Sequence, residues 1–344
     1  MRETWKIAIV GAASLRGKEL NEALSDSAFS KASIILLDEE SEVGRLEASG
    51  DEATLIQRID HDSFEHVDFA FFCSAPEITL KHWREAVAAG TTIIDLSNAL
   101  EAEDGSVVCA PWLEDERADL SLTTKVVIPA HAVSLALALM MTSLETVARL
   151  RFGSATVLEP ASEYGSAAID ELHQQTVSLL NFQSLPKDLY GEQVAFNVVP
   201  SFGESPALGQ TEARIRHHYA AIRKRGGGSH MADLGIQVVH VPVFHGVGLS
   251  IALEFDEQLT RDRLGSALAG KHVELIPEDV EPPNNLSSAG QPSILARLRP
   301  QNRSDQPTDR FWIWASFDNL KLSSLNAIAC AMDLRRLRPK GKVQ

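Results

Sequence analysis

A chain of 344 residues, 44% hydrophobic and 23% charged, is long enough for two domains, each with its own core. Its formal net charge of −15 argues against general nucleic-acid binding, because a phosphate backbone is met by a basic surface. No apolar run reaches the roughly 18–20 residues of a membrane span, and Cys73, Cys109 and Cys330 have neither metal-ligand nor disulfide spacing, so reduced thiols and no metal site are expected.

Met1-Arg2-Glu3-Thr4-Trp5-Lys6 lacks the layout of a signal peptide, which makes a cytoplasmic location the default expectation. The pattern then predicts a strand at Lys6–Val10, a glycine turn, a helix over Gly17–Leu24, and a strand Ser33–Leu37 ending at Asp38. Further strands are predicted at Val67–Phe72, Thr91–Ile94, Val107–Cys109 and Lys125–Ile128, with a helix between most pairs, such as Leu80–Ala89. Such alternation implies a parallel sheet covered on both faces, and the unbroken apolar run Phe69-Ala70-Phe71-Phe72 fits burial on both sides.

From about residue 133 the texture changes. A helix over Val133–Val147 precedes longer, alternating β segments at Arg149–Leu158, Ile236–Val243, Leu249–Phe255 and Phe311–Ser316, and a helix over Leu320–Leu337 closes the chain. The expected fold class is therefore α/β: a Rossmann-type dinucleotide-binding domain (residues 1–132 and 318–344) joined to an α+β domain with a large mixed sheet (133–317). The basic residues Arg335, Arg336, Arg338, Lys340 and Lys342 read as a helix end complementing its dipole. Gly226–Met231 has linker composition and resembles either a cloning scar or a natural surface loop; no chemistry is assigned to it.

Gly11-Ala12-Ala13-Ser14-Leu15-Arg16-Gly17 follows the first strand and opens the first helix, where glycine lets a backbone approach a pyrophosphate seated on the helix N-terminus. Gly11 and Gly17 serve either that purpose or merely a tight strand-to-helix turn. Asp38-Glu39-Glu40-Ser41-Glu42 ends the second strand; carboxylates there suit ribose hydroxyls and repel a 2′-phosphate, which favours NAD over NADP unless the loop is only a solvated acidic surface.

Several ordered landmarks carry a family resemblance. Val127-Ile128-Pro129-Ala130-His131-Ala132 stands where a nucleophile segment Asn-Cys-Ser/Thr would be, and Ile93-Ile94-Asp95-Leu96-Ser97-Asn98-Ala99-Leu100 is close to Val-Ile-Asp-Asn-Ser-Ser-Ala-Phe. Ala195-Phe196-Asn197-Val198-Val199-Pro200, Val241-Pro242-Val243 and Asp318-Asn319-Leu320, with Asn326-Ala327 behind it, complete the series. Together they resemble the aspartate-semialdehyde dehydrogenase family, and Ala161–Gly165 followed by Asp170–Asn181 resembles its Usg-type paralogues.

The resemblance implies a homodimer, NAD or NADP as cofactor, and cofactor contacts from Gly11, Ser14, Arg16, Gly17, Asp38 and Asn326. It puts His131 at the position of the nucleophilic cysteine, His240 at that of a substrate-binding arginine, and Val247 at that of the acid–base histidine, with His245 two residues away. Glu101 replaces a phosphate-binding arginine, and Cys109 is either a displaced thiol or a buried structural one. Glu212 and Arg214 match substrate-binding charges on a helix, or are solvated surface residues. An imidazole is a poor substitute for a thiolate in acyl transfer. The leading expectation is thus an impaired or repurposed paralogue that keeps the fold. The alternatives are an active NAD(P)-dependent aldehyde or semialdehyde oxidoreductase using His131, His240 or His245, and a regulatory subunit of a genuine dehydrogenase.

Overall fold

A computed structural model describes residues 4–49, 52–113, 120–200, 209–225, 234–302 and 306–337. The expectations for Gly226–Met231 and for Arg338, Lys340 and Lys342 lie outside the described residues. The chain divides into two compact units, Met1–Ala130 with Ser323–Gln344, and His131–Leu322.

Among the described residues, the main sheet of the first unit has seven strands: β1 (Lys6–Val10), β2 (Ser33–Asp38), β5 (Gln57–Arg58), β6 (Phe69–Phe72), β7 (Thr92–Asp95), β8 (Ser106–Cys109) and β9 (Val126–Pro129). They pair in the order β5-β2-β1-β6-β7-β9-β8, and every pair is parallel. A separate hairpin pairs β3 (Leu46–Ser49) with β4 (Glu52–Leu55). Because β1 and β6 are buried on both faces, their sequences alternate nothing and read as solid apolar runs. One face packs Ile7, Ile9, Phe69 and Phe71 against Ala327, Ala331 and Leu334 of the closing helix; the other packs Ala8, Val10, Ala70 and Phe72 around Phe64.

Two helices flank the glycine turn and the central strands. α1 (Leu15–Ser25) starts at Ser14, whose hydroxyl accepts the Gly17 N–H, and α2 (Pro76–Ala88) starts with proline in its first turn, where the missing N–H costs nothing. Gly11 has φ +83°, and a Cβ there would lie 2.5 Å from the Ser74 nitrogen; a Cβ on Gly17 would lie 2.2 Å from the Gly11 carbonyl oxygen. Both glycines are thus demanded by the close packing of protein backbone on itself.

The second unit opens with α3 (Ala132–Glu145), which is mainly apolar and almost wholly buried. Its sheet orders β11 (Leu234–His240), β10 (Leu150–Glu159), β12 (Val247–Leu259), β15 (Thr308–Phe317), β14 (Ile294–Pro300) and β13 (Val273–Leu275). The outer pairs β10–β11 and β13–β14 are parallel and the inner ones antiparallel, so the sheet is mixed. Regular alternation of buried and half-buried residues along β11 and β12 marks one core face and one open face. The strand expected over Ile236–Val243 stops at His240, because Val241 leaves the ladder after a last bond to the Glu159 carbonyl. Helices α4 (Ser166–Leu180), α5 (Thr211–Arg225), α6 (Arg261–Leu268) and α7 (Asn285–Ser288) fill the connections, and α8 (Asn319–Leu337) leads back into the first unit from Ser323.

Gly17→Ala should fold less stably by about 2 kcal/mol or more, since the added methyl meets backbone that cannot swing aside. Urea midpoints of the two proteins measure this, and an unchanged midpoint would mean the turn relaxes freely.

Candidate active site

At the turn of the first unit, Ser14 does two jobs. Its Oγ accepts from Gly17 N at 2.9 Å and donates to the Cys73 carbonyl at 3.0 Å. The N–H of Gly17 is therefore already engaged, as are those of Gly11 and Ala12 (to the Leu37 carbonyl), Ala13 (to Asp38) and Ser14 (to the Gly11 carbonyl), so an anion would face the helix start beyond Ser14; the first turn of α1 carries no acidic side chain. Asp38, buried at the end of β2, accepts from Ala13 N at 2.9 Å through Oδ2 and from Glu39 N at 2.9 Å through Oδ1. Arg16 reaches the Leu96 carbonyl at 3.4 Å. Asn326 donates to the carbonyls of Cys109 (3.3 Å) and Ala130 (3.2 Å), fastening α8 to the ends of β8 and β9. A cavity of about 290 Å³ opens beyond Asp38, with Glu39 paired to Lys81 at 3.7 Å and Glu40 to Arg58 at 3.0 Å. The acidic stretch after β2 thus carries two cations brought in by α2 and β5, which its local sequence does not reveal.

His131 caps α3. Its Nδ1 accepts from Val133 N at 3.3 Å, which assigns the proton to Nε2, and Nε2 donates to Glu163 Oε1 at 3.2 Å. The His131 backbone N–H donates to His218 Nδ1 at 2.9 Å. Both ring nitrogens are consequently committed, one as acceptor and one as donor. From Glu163 the bonding continues: Asn319 Nδ2 donates to Glu163 Oε2 at 3.0 Å, and Ser162 Oγ donates to Asn319 Oδ1 at 3.2 Å. His245 Nδ1 lies 3.0 Å from Ser162 Oγ, and its Nε2 lies 2.8 Å from Asp318 Oδ2. Burial alone would raise the Asp318 carboxyl, but hydrogen bonds from His245 and from the backbone N–H groups of Lys321 and Gly290 hold it below its ordinary value.

His240 stands opposite Glu159 in the β10–β11 register, 1% exposed, and burial lowers its imidazole to about 4, so it is neutral at pH 7. Glu159 is 2% exposed; burial, helped by the charge of Glu163, pushes its carboxyl up to about 8 against the opposing hydrogen bond from Tyr164. The Tyr164 hydroxyl donates to Glu159 Oε2, and Oε1 finds no hydrogen-bond partner among the described residues. Both side chains line a cavity of about 360 Å³ with Tyr164, Thr211, Glu212 and Arg216. Glu212 accepts from Arg216 (3.1 Å) and from Val238 N (3.0 Å), so the charge that joins it at this cavity is Arg216, one turn on, in place of Arg214.

Among the residues singled out by sequence, His131 and His245 share one polar chain, while His240 and Glu212 line the neighbouring cavity. The sequence alone does not single out Glu159, Glu163, Tyr164, Ser162, Asp318 and Arg216 as site residues. An acidic residue closing an apolar strand was the available signal for Glu159. Cys73, Cys109 and Cys330 are all buried in the first unit, and burial pushes Cys73 up to about 12.

Comparisons with known proteins match both domains of the chain. Residues 6–121 match the NAD binding domain of semialdehyde dehydrogenase, and residues 145–322 match its dimerisation domain. An aspartate-semialdehyde dehydrogenase of Rickettsia conorii is 24% identical over 97% of this chain and 98% of its own. A USG-1 protein homolog of Azotobacter vinelandii is 28% identical over 94% and 96%. The solved structure of a probable aspartate-semialdehyde dehydrogenase from Pseudomonas aeruginosa superimposes with a TM-score of 0.82 at 25% identity, covering 98% of this chain and all of that one (100%).

The raised Glu159 carboxyl has a stability signature. Its contribution is fully present below the ordinary 4.5 and is lost as pH rises through about 8, because in that window the folded chain holds a proton that the unfolded chain has released. Glu159→Gln, neutral throughout, should flatten the fall of the urea midpoint between these pH values; an identical slope in both proteins would contradict the assignment.

Proposed function

The chain belongs to the semialdehyde dehydrogenase family, and within it we propose a Usg-type protein that keeps the two-domain fold and dimerisation surface but has left covalent acyl transfer behind. The observation that carries this is the state of His131 at the family's nucleophile position. An imidazole attacks through an unprotonated nitrogen, and here Nδ1 holds the Val133 N–H while Nε2 carries a proton bonded to Glu163. Cys73, Cys109 and Cys330 are all buried in the first unit, Cys109 paired with Pro129 on the strand that precedes His131. Valine at 247, which is buried, moves no proton, and Glu101 offers a carboxylate where the family resemblance calls for a cation to hold phosphate.

A nicotinamide dinucleotide fits the first unit: the helix start behind Ser14 suits a pyrophosphate, and Asp38 suits ribose hydroxyls. When bound, such a cofactor supplies hydride transfer. NAD is preferred over NADP, because the Asp38 carboxylate opposes a 2′-phosphate. A second reading, an active oxidoreductase with displaced residues, draws on one feature: His245, part exposed, is backed by Asp318 and Ser162 in the manner of an oriented acid–base histidine.

Purified protein supplied with aspartate semialdehyde, phosphate and NAD or NADP should leave the reduced-nicotinamide absorbance at the buffer blank. Turnover abolished by His131→Ala would sink the proposal, and turnover abolished by His245→Ala alone would establish the second reading. In fluorescence titrations NADH should bind about tenfold or more tightly than NADPH, a difference of roughly 1.4 kcal/mol; the reverse order would overturn the cofactor assignment.

A further inference from the structure

We propose that the cavity between the end of β10, the start of α5 and β11 binds a small organic cation, a primary ammonium with no carboxylate beside it, through Glu159 Oε1. This goes beyond the loss of acyl transfer by naming what the substrate domain recognises, and it rests on that reading only in placing the ligand in the same domain.

The cavity, about 360 Å³, suits a compact ligand. Among the described residues that line it, Arg216 is the one cation, and its guanidinium already bonds Glu212 and the Ile236 carbonyl. Glu212 is likewise committed, to Arg216 and to Val238 N. Glu159 differs. Its Oε2 receives the Tyr164 hydroxyl, but Oε1, deeply buried, meets no donor among the described residues. A buried carboxyl oxygen with no partner leaves its lost hydration uncompensated, and a ligand donor would relieve it.

Charge decides the kind of donor. The groups facing Glu159 are Glu163 and Tyr164 on the turn that follows β10, His240 across the register, Tyr190, and the Glu212–Arg216 pair on α5. None of the described groups brings an uncommitted positive charge, and His240 is neutral at pH 7. An anionic ligand would enter beside carboxylates with no cation to receive it. An ammonium would instead restore the ion pair whose absence leaves Glu159 protonated, and the rings of Tyr164 and His240, 6.0 Å apart, add π faces that attract cations. A carboxylate next to the ammonium would meet the same repulsion, which excludes an α-amino acid.

The experiment is ligand-observed NMR and calorimetric titration of the intact protein with butylammonium, butan-1-ol and 2-aminobutyrate at pH 6.5 and pH 9. Butylammonium remains charged at both, having an ionisation like that of lysine near about 10.4. It alone should bind, about 30-fold more tightly at pH 9, as expected for a carboxyl ionising near 8. Calorimetry at pH 7 in two buffers of different ionisation enthalpy should show close to one proton released per cation bound. Glu159→Gln should remove both the binding and the pH dependence, and if that variant fails to fold the proton count on the natural protein still decides. Binding of butan-1-ol with equal strength, butylammonium affinity that falls with pH, 2-aminobutyrate binding as tightly as butylammonium, or no binding of any probe at millimolar concentration would each overturn the proposal. None of these outcomes depends on whether semialdehyde turnover is found, so the two readings fail separately.

Discussion

The imidazole of His131 is the joint on which the second unit's polar interior depends. It stands where the chain leaves β9 and enters α3, a helix whose first turn is buried, so its first-turn amides need a local acceptor. Nδ1 supplies that acceptor, and this choice forces the proton onto Nε2, which then anchors Glu163. A cysteine could not do both. Its thiolate would be a nucleophile, not a two-sided bridge between a helix cap and a buried carboxylate. The geometry therefore ties the cap of α3 to a buried carboxylate through a single side chain.

The consequences run in two directions. Toward α8, Glu163 holds Asn319, which holds Ser162, which meets His245, and Asp318 fixes His245 from the far side while capping α8 through the N–H groups of Leu320 and Lys321. Toward β10, the negative charge of Glu163 adds to burial in keeping Glu159 protonated. A buried network satisfied member by member is rigid, and a carboxyl left with an open oxygen at its edge is the place where such a network can still accept something. The first unit is organised differently. Its glycine turn is fixed by backbone packing, with Ser14 holding the helix start and Asp38 bonding back across the turn.

The fold was readable from sequence because its signals are local. Phe69-Ala70-Phe71-Phe72 and Lys6–Val10 are short apolar runs between helices, and that pattern has few solutions besides a doubly covered parallel sheet. The small strands β3, β4, β5 and β13, two to four residues each, carry too few residues for periodicity to register. The site was harder to read for a physical reason. Glu159 owes its raised carboxyl to burial on a strand whose register partner, His240, lies 81 positions later, and to the charge of Glu163, and the burial is recorded by no local pattern. Arg216 in place of Arg214 follows from helix phase only once Glu212 is known to point at the cavity. Asp38-Glu39-Glu40 looks like a pure carboxylate cluster until β5 and α2 bring Arg58 and Lys81 beside it.

The most direct test of the account is the protonation state of the His131 ring, read from ¹⁵N chemical shifts of the imidazole nitrogens in protein labelled at histidine, with His131→Gln used to assign the signals. A neutral ring with Nδ1 unprotonated and Nε2 bearing hydrogen is expected. A ring with Nε2 unprotonated would leave that nitrogen able to attack an acyl carbon, and would contradict the claim that this position has given up nucleophilic chemistry.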